Sequence, residues 1–553
     1  MEILLALFSA LGSFGLFYFG LKTFSESFQV LSGPSIRQII QGLKRSDRFG
    51  ALFGGLSISF LVQGESVALF MIVGLVNAGL MALPMAISVI FGANIGATIL
   101  GWLFSMELSK YSLIIMALGL LCNIIPYSQK FRELAKVLFG LALIFFSLNL
   151  LGENLLKLQV SEVLDSDTFI LLFSNESYSY FLLSLFVFLI GFFVRQSLLV
   201  LALVMAFATS GIIDFFQASL CLVVMSLACS LGDQIFQANG NVIAKRTRKA
   251  GTIYALFNFT FSLLFINQIM SLSVWLIPGH PGFHVENGPY PNVAIHLAFF
   301  HTFTHLCSAL ILVPFVRQIT SFVSSLHPHK EMKEQTKLEV LTDQAHLIPA
   351  TALVLGEREL QKLKDIVDRM YDRCDEYIKS PTNLPRVLAK IKDYERITDN
   401  IHSEISRFIL KLMESPLSDE ESKRAQVIME SARELESIAD YLDKLITSKT
   451  RFCENALYEG EIRTNFMAYH QKVKEFYLKT TSGIIEGGFL DELLVKEDMI
   501  KLKSEGEKLR EDFMLESAKN SASPYTVLAF SDMVTSAKKI RSHSMELLQA
   551  NIR

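Results

Sequence analysis

Hydrophobic positions dominate the chain up to about residue 317, and the pattern changes abruptly beyond it. Apolar stretches stand near residues 2–21, 50–77, 80–104, 111–126, 134–152, 180–210, 213–236, 251–276 and 293–316. A bilayer core about 30 Å thick takes about 20 apolar helical residues to cross, so most of these predict one span each. Two read differently. The 50–77 stretch is interrupted by Gln63-Gly64-Glu65-Ser66, and the 180–210 stretch by Arg195-Gln196-Ser197. Each half reaches only about the middle of the bilayer, which predicts two re-entrant hairpins with polar tips. Beyond Val340, apolar residues recur every three or four positions between charged faces, as in amphipathic helices. Breaks around Pro381, Pro385 and Pro416 divide this region into helices near 348–378, 384–413, 418–448, 463–485, 491–517 and 525–551. The expected fold is therefore all-α, a polytopic membrane domain followed by a soluble domain that fits two three-helix bundles. The expected boundaries are 1–133 with the first hairpin, 134–320 with the second hairpin and a final helix, a linker at 321–345, and a helical domain at 346–553.

Charge assigns sides to these elements. The basic loops are Arg37–Arg48, Lys130–Lys136 and Lys245–Lys249, and Lys/Arg-rich loops face the cytoplasm. Acidic or neutral loops at 153–179 and 277–292 then face outside. A first hairpin that enters and leaves from the cytoplasm, and a second that does so from outside, keep every basic loop inside. The last helix delivers the charged domain to the cytoplasm of a bacterial-type inner membrane. The N-terminus is apolar at once, without a basic segment or small-residue cleavage site, so residues 2–21 are expected to be a membrane helix and not a removed signal. An offset of 132 residues superposes helix 2–21 on 134–153, hairpin on hairpin, and 80–104 on 212–236. Gly20 then falls on Gly152, Gly79 on Gly211 and Ala86 on Ala218. The two copies enter from opposite sides, and inverted repeats with broken helices are a secondary-transporter architecture.

Composition excludes several classes. The net charge of −3 offers nothing to a polyanion, so nucleic acid is not expected as a partner. The six cysteines form no CxxC pair and predict neither a zinc ribbon nor a disulfide framework. No phosphate-cradling loop or nucleophile elbow stands in a strand–helix setting, so no enzyme is expected.

The run Gly20-Leu21-Lys22, Leu31-Ser32-Gly33, Leu61 to Ser66, Val73 to Leu80 and Phe91-Gly92-Ala93-Asn94-Ile95-Gly96-Ala97-Thr98 closely resembles the sodium/phosphate cotransporter family. That family carries QSSS at each hairpin tip and GANIGTT after the first. The resemblance covers residues 12–105 well and the second repeat poorly. It implies binding of phosphate or a related anion, with coupling to Na⁺ or H⁺, through Gln63, Glu65, Ser66, Asn94, Thr98, Arg195, Gln196, Ser197 and Ser226. The departures are specific. Gly64 and Glu65 replace two serines, Leu198 and Leu199 replace two more, and Ser226 stands at the repeat partner of Asn94. About half the family's oxygen ligands are missing.

Glu65 and Arg195 stand near the two tips, and unpaired charge at mid-bilayer costs about 3 kcal/mol or more. They either pair with each other, or divide the work, with Arg195 gripping an anion and Glu65 taking Na⁺ or H⁺. A pair that merely staples the site is the structural alternative. His301 and His305 lie one helical turn apart, with His296 just before. No carboxylate or cysteine stands in register with them, so packed or cavity-facing rings are expected in place of a metal pair. Asp233 is expected to snorkel to the interface.

In the polar half, Glu395-Arg396-Ile397-Thr398-Asp399 and Glu436-Ser437-Ile438-Ala439-Asp440 place carboxylates on one helix face each. The segment Arg433–Leu445 resembles the LERIAD stretch of PhoU-like domains. The resemblance implies a divalent, iron or manganese ion on Glu395, Asp399, Glu436 and Asp440, and a regulatory role. A solvated acidic face is the plain alternative. The matching stretch Ala537–His543 lacks the acids. The expected function is a secondary active transporter of phosphate or a related anion. The rival is a non-transporting membrane regulator on a degenerate transporter scaffold. A homodimer through either domain is compatible with the sequence.

Overall fold

The computed structural model describes residues 2–43, 47–77, 79–106, 108–124, 129–159, 177–236, 242–284, 289–326, 349–415, 417–486, 492–519 and 522–552. The described residues are helical, with no strand among them. The chain divides into two compact units, Met1–Glu331 with Ile348–Thr351, and Met332–Leu347 with Ala352–Arg553. Of the linker expected at 321–345, residues 321–326 continue a helix, and the rest lies outside the described residues.

The apolar unit holds α1 (Glu2–Leu43), α2 (Arg48–Val62), α3 (Glu65–Asn77), α4 (Leu83–Ala97), α5 (Ile99–Ser105), α6 (Ser112–Ile124) and α7 (Gln129–Gln159). It continues with α8 (Ser177–Val194), α9 (Ser197–Thr209), α10 (Phe215–Phe236), α11 (Val242–Leu264), α12 (Ile266–Leu276), α13 (Val293–Leu312) and α14 (Val316–Leu326). Among the described residues, four helical segments are long and apolar enough to cross a membrane: Leu83–Ser105, Lys130–Leu155, Phe215–Ile235 and Val293–Leu326. The stretch expected as one span at 251–276 is instead bent by 73° between α11 and α12.

Both interrupted stretches break where the polar residues stand. Asp47 caps α2 by accepting from the Gly50 N–H at 2.7 Å, and α2 ends when Gln63 turns left-handed at φ 59°. Arg195 makes the same turn at φ 54° between α8 and α9. These two are the positive-φ non-glycine residues of the described chain, and they stand at the 132-residue offset found in the sequence. Gly79 at φ 69° and Gly211 at φ 76°, again at that offset, turn the chain into α4 and α10.

Packing is duplicated as well. The first arm α2 lies along α4, and α8 lies along α10, while α3 and α9 each pack on the same partner as their own first arm. The α2–α4 contact is backbone to backbone. A Cβ at Gly92 would stand 1.8 Å from the Leu52 carbonyl oxygen, and one at Gly96 would stand 2.2 Å from that of Leu56. Small residues four apart let helices approach this closely where lipid supplies no hydrophobic drive. A shared core of Phe17, Leu21, Ile144, Leu201, Met225 and Leu297 joins α1, α7, α9, α10 and α13.

The polar unit contains α15 (Pro349–Lys379), α16 (Pro385–Met413), α17 (Asp419–Asn455), α18 (Gly460–Glu486), α19 (Glu492–Lys519) and α20 (Pro524–Ile552). The expected helix positions hold, although α17 runs seven residues further. Its start carries the reciprocal Ser418–Glu421 capping bonds. α17 packs on α16 and, most extensively, on α20, while α18, α19 and α20 pack together. The α15–α18 seam is polar. His470 bonds Asp375 at 2.8 Å, Lys474 bonds Asp372 at 2.8 Å, and the Tyr477 hydroxyl donates to Asp368 at 2.7 Å.

Candidate functional site

The site is built where the two breaks meet. The Ser66 hydroxyl, in the first turn of α3, donates to the Arg195 carbonyl at 3.1 Å. The tips Gln63–Ser66 and Arg195–Ser197 are thus in direct contact. Gln63 is 5% exposed, and neither atom of its amide group has a hydrogen-bond partner among the described residues. Ser197 is buried in the first turn of α9, and Gln196 occupies the position before that helix.

Glu65 does not pair with Arg195; it makes no hydrogen bond or ion pair with any described residue. Its carboxylate stands near Asp233 of α10. Asp233 does not snorkel to the interface: it is 3% exposed and sits beside the Ser66 hydroxyl and the Arg195 charge. The physical reason is the approach of α10 to the second tip at Gly232, where a Cβ would lie 2.9 Å from Arg195 Cγ. Glu65, Asn94, Ser230 and Asp233 line one small cavity with Leu69, Ile90, Ala93 and Gly251. The cavity volume is about 20 Å³. Asn94 donates its NH₂ to the Ile90 carbonyl at 2.8 Å, which leaves its amide oxygen for the cavity. Ser230 was missed in the sequence, and Asp233 was assigned to the interface and not to the site. An acidic residue inside an apolar helix, with a hydroxyl three positions before it on the same face, was the available signal.

Two expected site residues have local roles. The Thr98 hydroxyl donates to the Ile95 carbonyl at 2.7 Å, at the junction of α4 and α5. Ser226 accepts from Asn258 at 3.5 Å, and Asn258 in turn accepts from Ser308 at 2.9 Å. Ser230, one turn further along α10, takes the cavity position expected for Ser226. The histidines are packed. His301 and His305 meet edge to face at 4.9 Å, and the Tyr254 hydroxyl donates to the His305 carbonyl at 2.9 Å.

In the polar unit, Glu395, Asp399, Glu436 and Asp440 do come into one electrostatic neighbourhood, joined by Asp443. Burial pushes the Glu395 carboxyl up, and Asp399, Asp443 and Asp440 push it further. The four expected ligands nevertheless do not form a metal-holding set. Among the described residues, the group whose ligand atoms lie within 4.8 Å of one another is Glu434, His543 and Glu546. Burial pushes the Glu434 carboxyl up, but hydrogen bonds from His543 and Arg433, each 2.8 Å, outweigh it and hold the group below its ordinary value. Tyr441 stacks on the His543 ring at 5.4 Å. This arrangement reads as a hydrogen-bonded cluster that fastens α17 to α20.

Helices long and apolar enough to cross a membrane, and two polar breaks in contact among them, are the features of a membrane protein. Residues 16–153 match the model of the Na⁺/Pi-cotransporter family. A Salmonella typhimurium protein named "Putative inorganic phosphate export protein YjbB" is 22% identical over 419 residues, 74% of this chain and 73% of that protein. Its Escherichia coli K12 namesake is 21% identical over 397 residues, 71% of this chain and 69% of that protein. An uncharacterised Bacillus subtilis protein, YqeW, is 21% identical over 277 residues, half of this chain and 84% of that protein. No solved structure matches the chain.

Proposed function

We propose that the chain is a secondary active transporter of inorganic phosphate or a closely related anion, coupled to Na⁺ or H⁺. The carrying observation is the contact between the two tips, Ser66 to Arg195 at 3.1 Å, with left-handed turns at Gln63 and Arg195 one repeat length apart. That symmetry supports two inverted repeats with re-entrant hairpins. The N-termini of α3 and α9 bring partial positive charge to the tips. Gln63, Ser66, Arg195, Gln196 and Ser197 are the anion-facing set in this reading, with Arg195 the bidentate donor. Glu65 and Asn94 belong to the coupling ion. The polar unit, by its resemblance to PhoU-like domains, regulates transport from the cytoplasm.

The names of the relatives bring export forward, so flux should be measured in both directions. In proteoliposomes, phosphate movement under a sodium or proton gradient is expected to exceed that of empty vesicles. Arg195→Leu is expected to lower it at least tenfold. Full flux in Arg195→Leu would remove the anion role from that residue. A second reading, the non-transporting regulator, draws on the closed tip contact and the small size of the cavity. No flux in either direction, with inserted and monodisperse protein, would establish it over the first.

A further inference from the structure

We infer that the cavity at the α15–α18 seam of the polar unit is a binding site for a nucleoside monophosphate or an organic phosphate of that size. Its regulatory use rests on the reading of the polar unit given above, but binding itself can be measured without flux. Four observations carry it.

The first is size and place. The cavity has a volume of about 900 Å³ and lies where α15 ends and α18 begins. Small-molecule sites occupy about 300–1,000 Å³, so the space exceeds what a metal ion or a free phosphate fills. The second is charge. Gly460 at φ 65° opens α18, whose first N–H groups favour an anion. Arg463 and Lys379 line the cavity at that end, and neither forms an ion pair with any described residue. The Arg463 guanidinium donates to the Lys379 carbonyl, which holds it across the seam, and its Nε is buried without a partner among the described residues. Lys449, fully buried, lies near enough to feel the Arg463 charge. Of the two acids in the lining, Asp375 is held by Lys474 at 2.5 Å and by His470 at 2.8 Å, and Glu461 is exposed. Positive charge is therefore in excess.

The third is an unpartnered polar group. His470 is 3% exposed and lines the cavity. Its Nε2 bonds Asp375, and its ring lies 5.4 Å from that of Tyr371, so its direction is fixed. Its Nδ1 has no hydrogen-bond partner among the described residues. A buried nitrogen in this state is costly, and a ribose hydroxyl can serve it as donor or as acceptor. The fourth is the rest of the lining. Ile378 and Met467 add apolar surface, and the Asn465 amide adds donors and an acceptor. A free phosphate uses neither the apolar surface nor the reach of the cavity, whereas a base and sugar use both.

The experiment is binding of radiolabelled AMP, GMP, CMP and UMP to the purified full chain in lipid nanodiscs, with phosphate flux measured on the same preparation. Saturable binding of at least one of them near one per chain is expected, with a higher melting temperature because only the folded chain binds. Arg463→Ala and Lys379→Ala should each weaken it by about tenfold or more. Lys379 is exposed, which keeps the test alive if Arg463→Ala, having lost its bond to the end of α15, fails to fold. The parent nucleoside should bind by about tenfold or more less tightly. No saturable binding of any of the four would overturn the site. Binding like wild type in both variants would overturn it too, and so would inorganic phosphate that displaces the nucleotide as well as unlabelled nucleotide does. Flux without nucleotide binding would sink the site and leave the transporter standing. Nucleotide binding lost in the variants, in a chain with no flux, would support the site and sink the transporter reading.

Discussion

Gln63 shows how much local cost the tip carries. A non-glycine residue in the left-handed region costs about 1 kcal/mol, and a buried amide without partners costs about 1–3 kcal/mol more. Gln63→Gly removes both, so it is expected to raise the melting temperature of the purified protein while lowering phosphate flux. A lower melting temperature would show that the amide is stabilising where it stands. Asp375 gives the opposite case in the polar unit. Burial pushes its carboxyl up, but hydrogen bonds from His470 and Lys474 outweigh this and hold it below its ordinary value of 3.8. A depressed carboxylate contributes its stability above the ordinary value and loses it as pH falls through the folded one. Hydrogen-exchange protection of α15 and α18 should therefore decline as pH drops below about 4. Asp375→Asn should flatten that decline and cost about 1–3 kcal/mol at neutral pH. Unchanged protection across that range would show that the seam is held by packing alone.

At the scale of elements, the α2–α4 contact is the least forgiving. A Cβ at Gly92 meets the Leu52 carbonyl oxygen at 1.8 Å, and backbone cannot move aside as a side chain can. Gly92→Ala is expected to abolish monodisperse protein on size exclusion. Gly152→Ala, where nothing lies within 4 Å, is expected to behave as wild type. The pair also tests the repeat register. Gly20 and Gly152 coincide at the 132-residue offset, yet a Cβ at Gly20 would lie 2.8 Å from Leu143 Cβ, while Gly152 faces open space. Helix positions were legible because periodicity and breakers are local. The bend of 73° after Leu264 was not, because the apolar run continues through it.

At the scale of the whole molecule, the abrupt fall in apolar content separates two units that cluster separately in space. Charge predicts which side of the membrane each loop meets. In a background with the six native cysteines replaced, single cysteines at positions 45 and 245 are expected to resist a membrane-impermeant thiol reagent added outside. Cysteines at 167 and 286 are expected to react. Labelling of 245 from outside would break the crossing parity and the inverted arrangement with it.

The elements and the two polar interruptions were legible along the chain, because helix period, breakers and apolar length act within neighbouring residues. It also carried the family resemblance in residues 12–105, of which the matched segment 16–153 contains most. Which charges meet depends on how the helices pack. Register placed Glu65 near Arg195, but side-chain direction and the close approach at Gly232 brought Asp233 to both instead. Register also pointed to Ser226, and the packing of α10 turned Ser230 to the cavity. In the polar unit, helix spacing put four carboxylates on facing surfaces, and the packing of α17 on α20 drew Glu434, His543 and Glu546 together in their place. Such groupings depend on long-range packing, which no local pattern encodes.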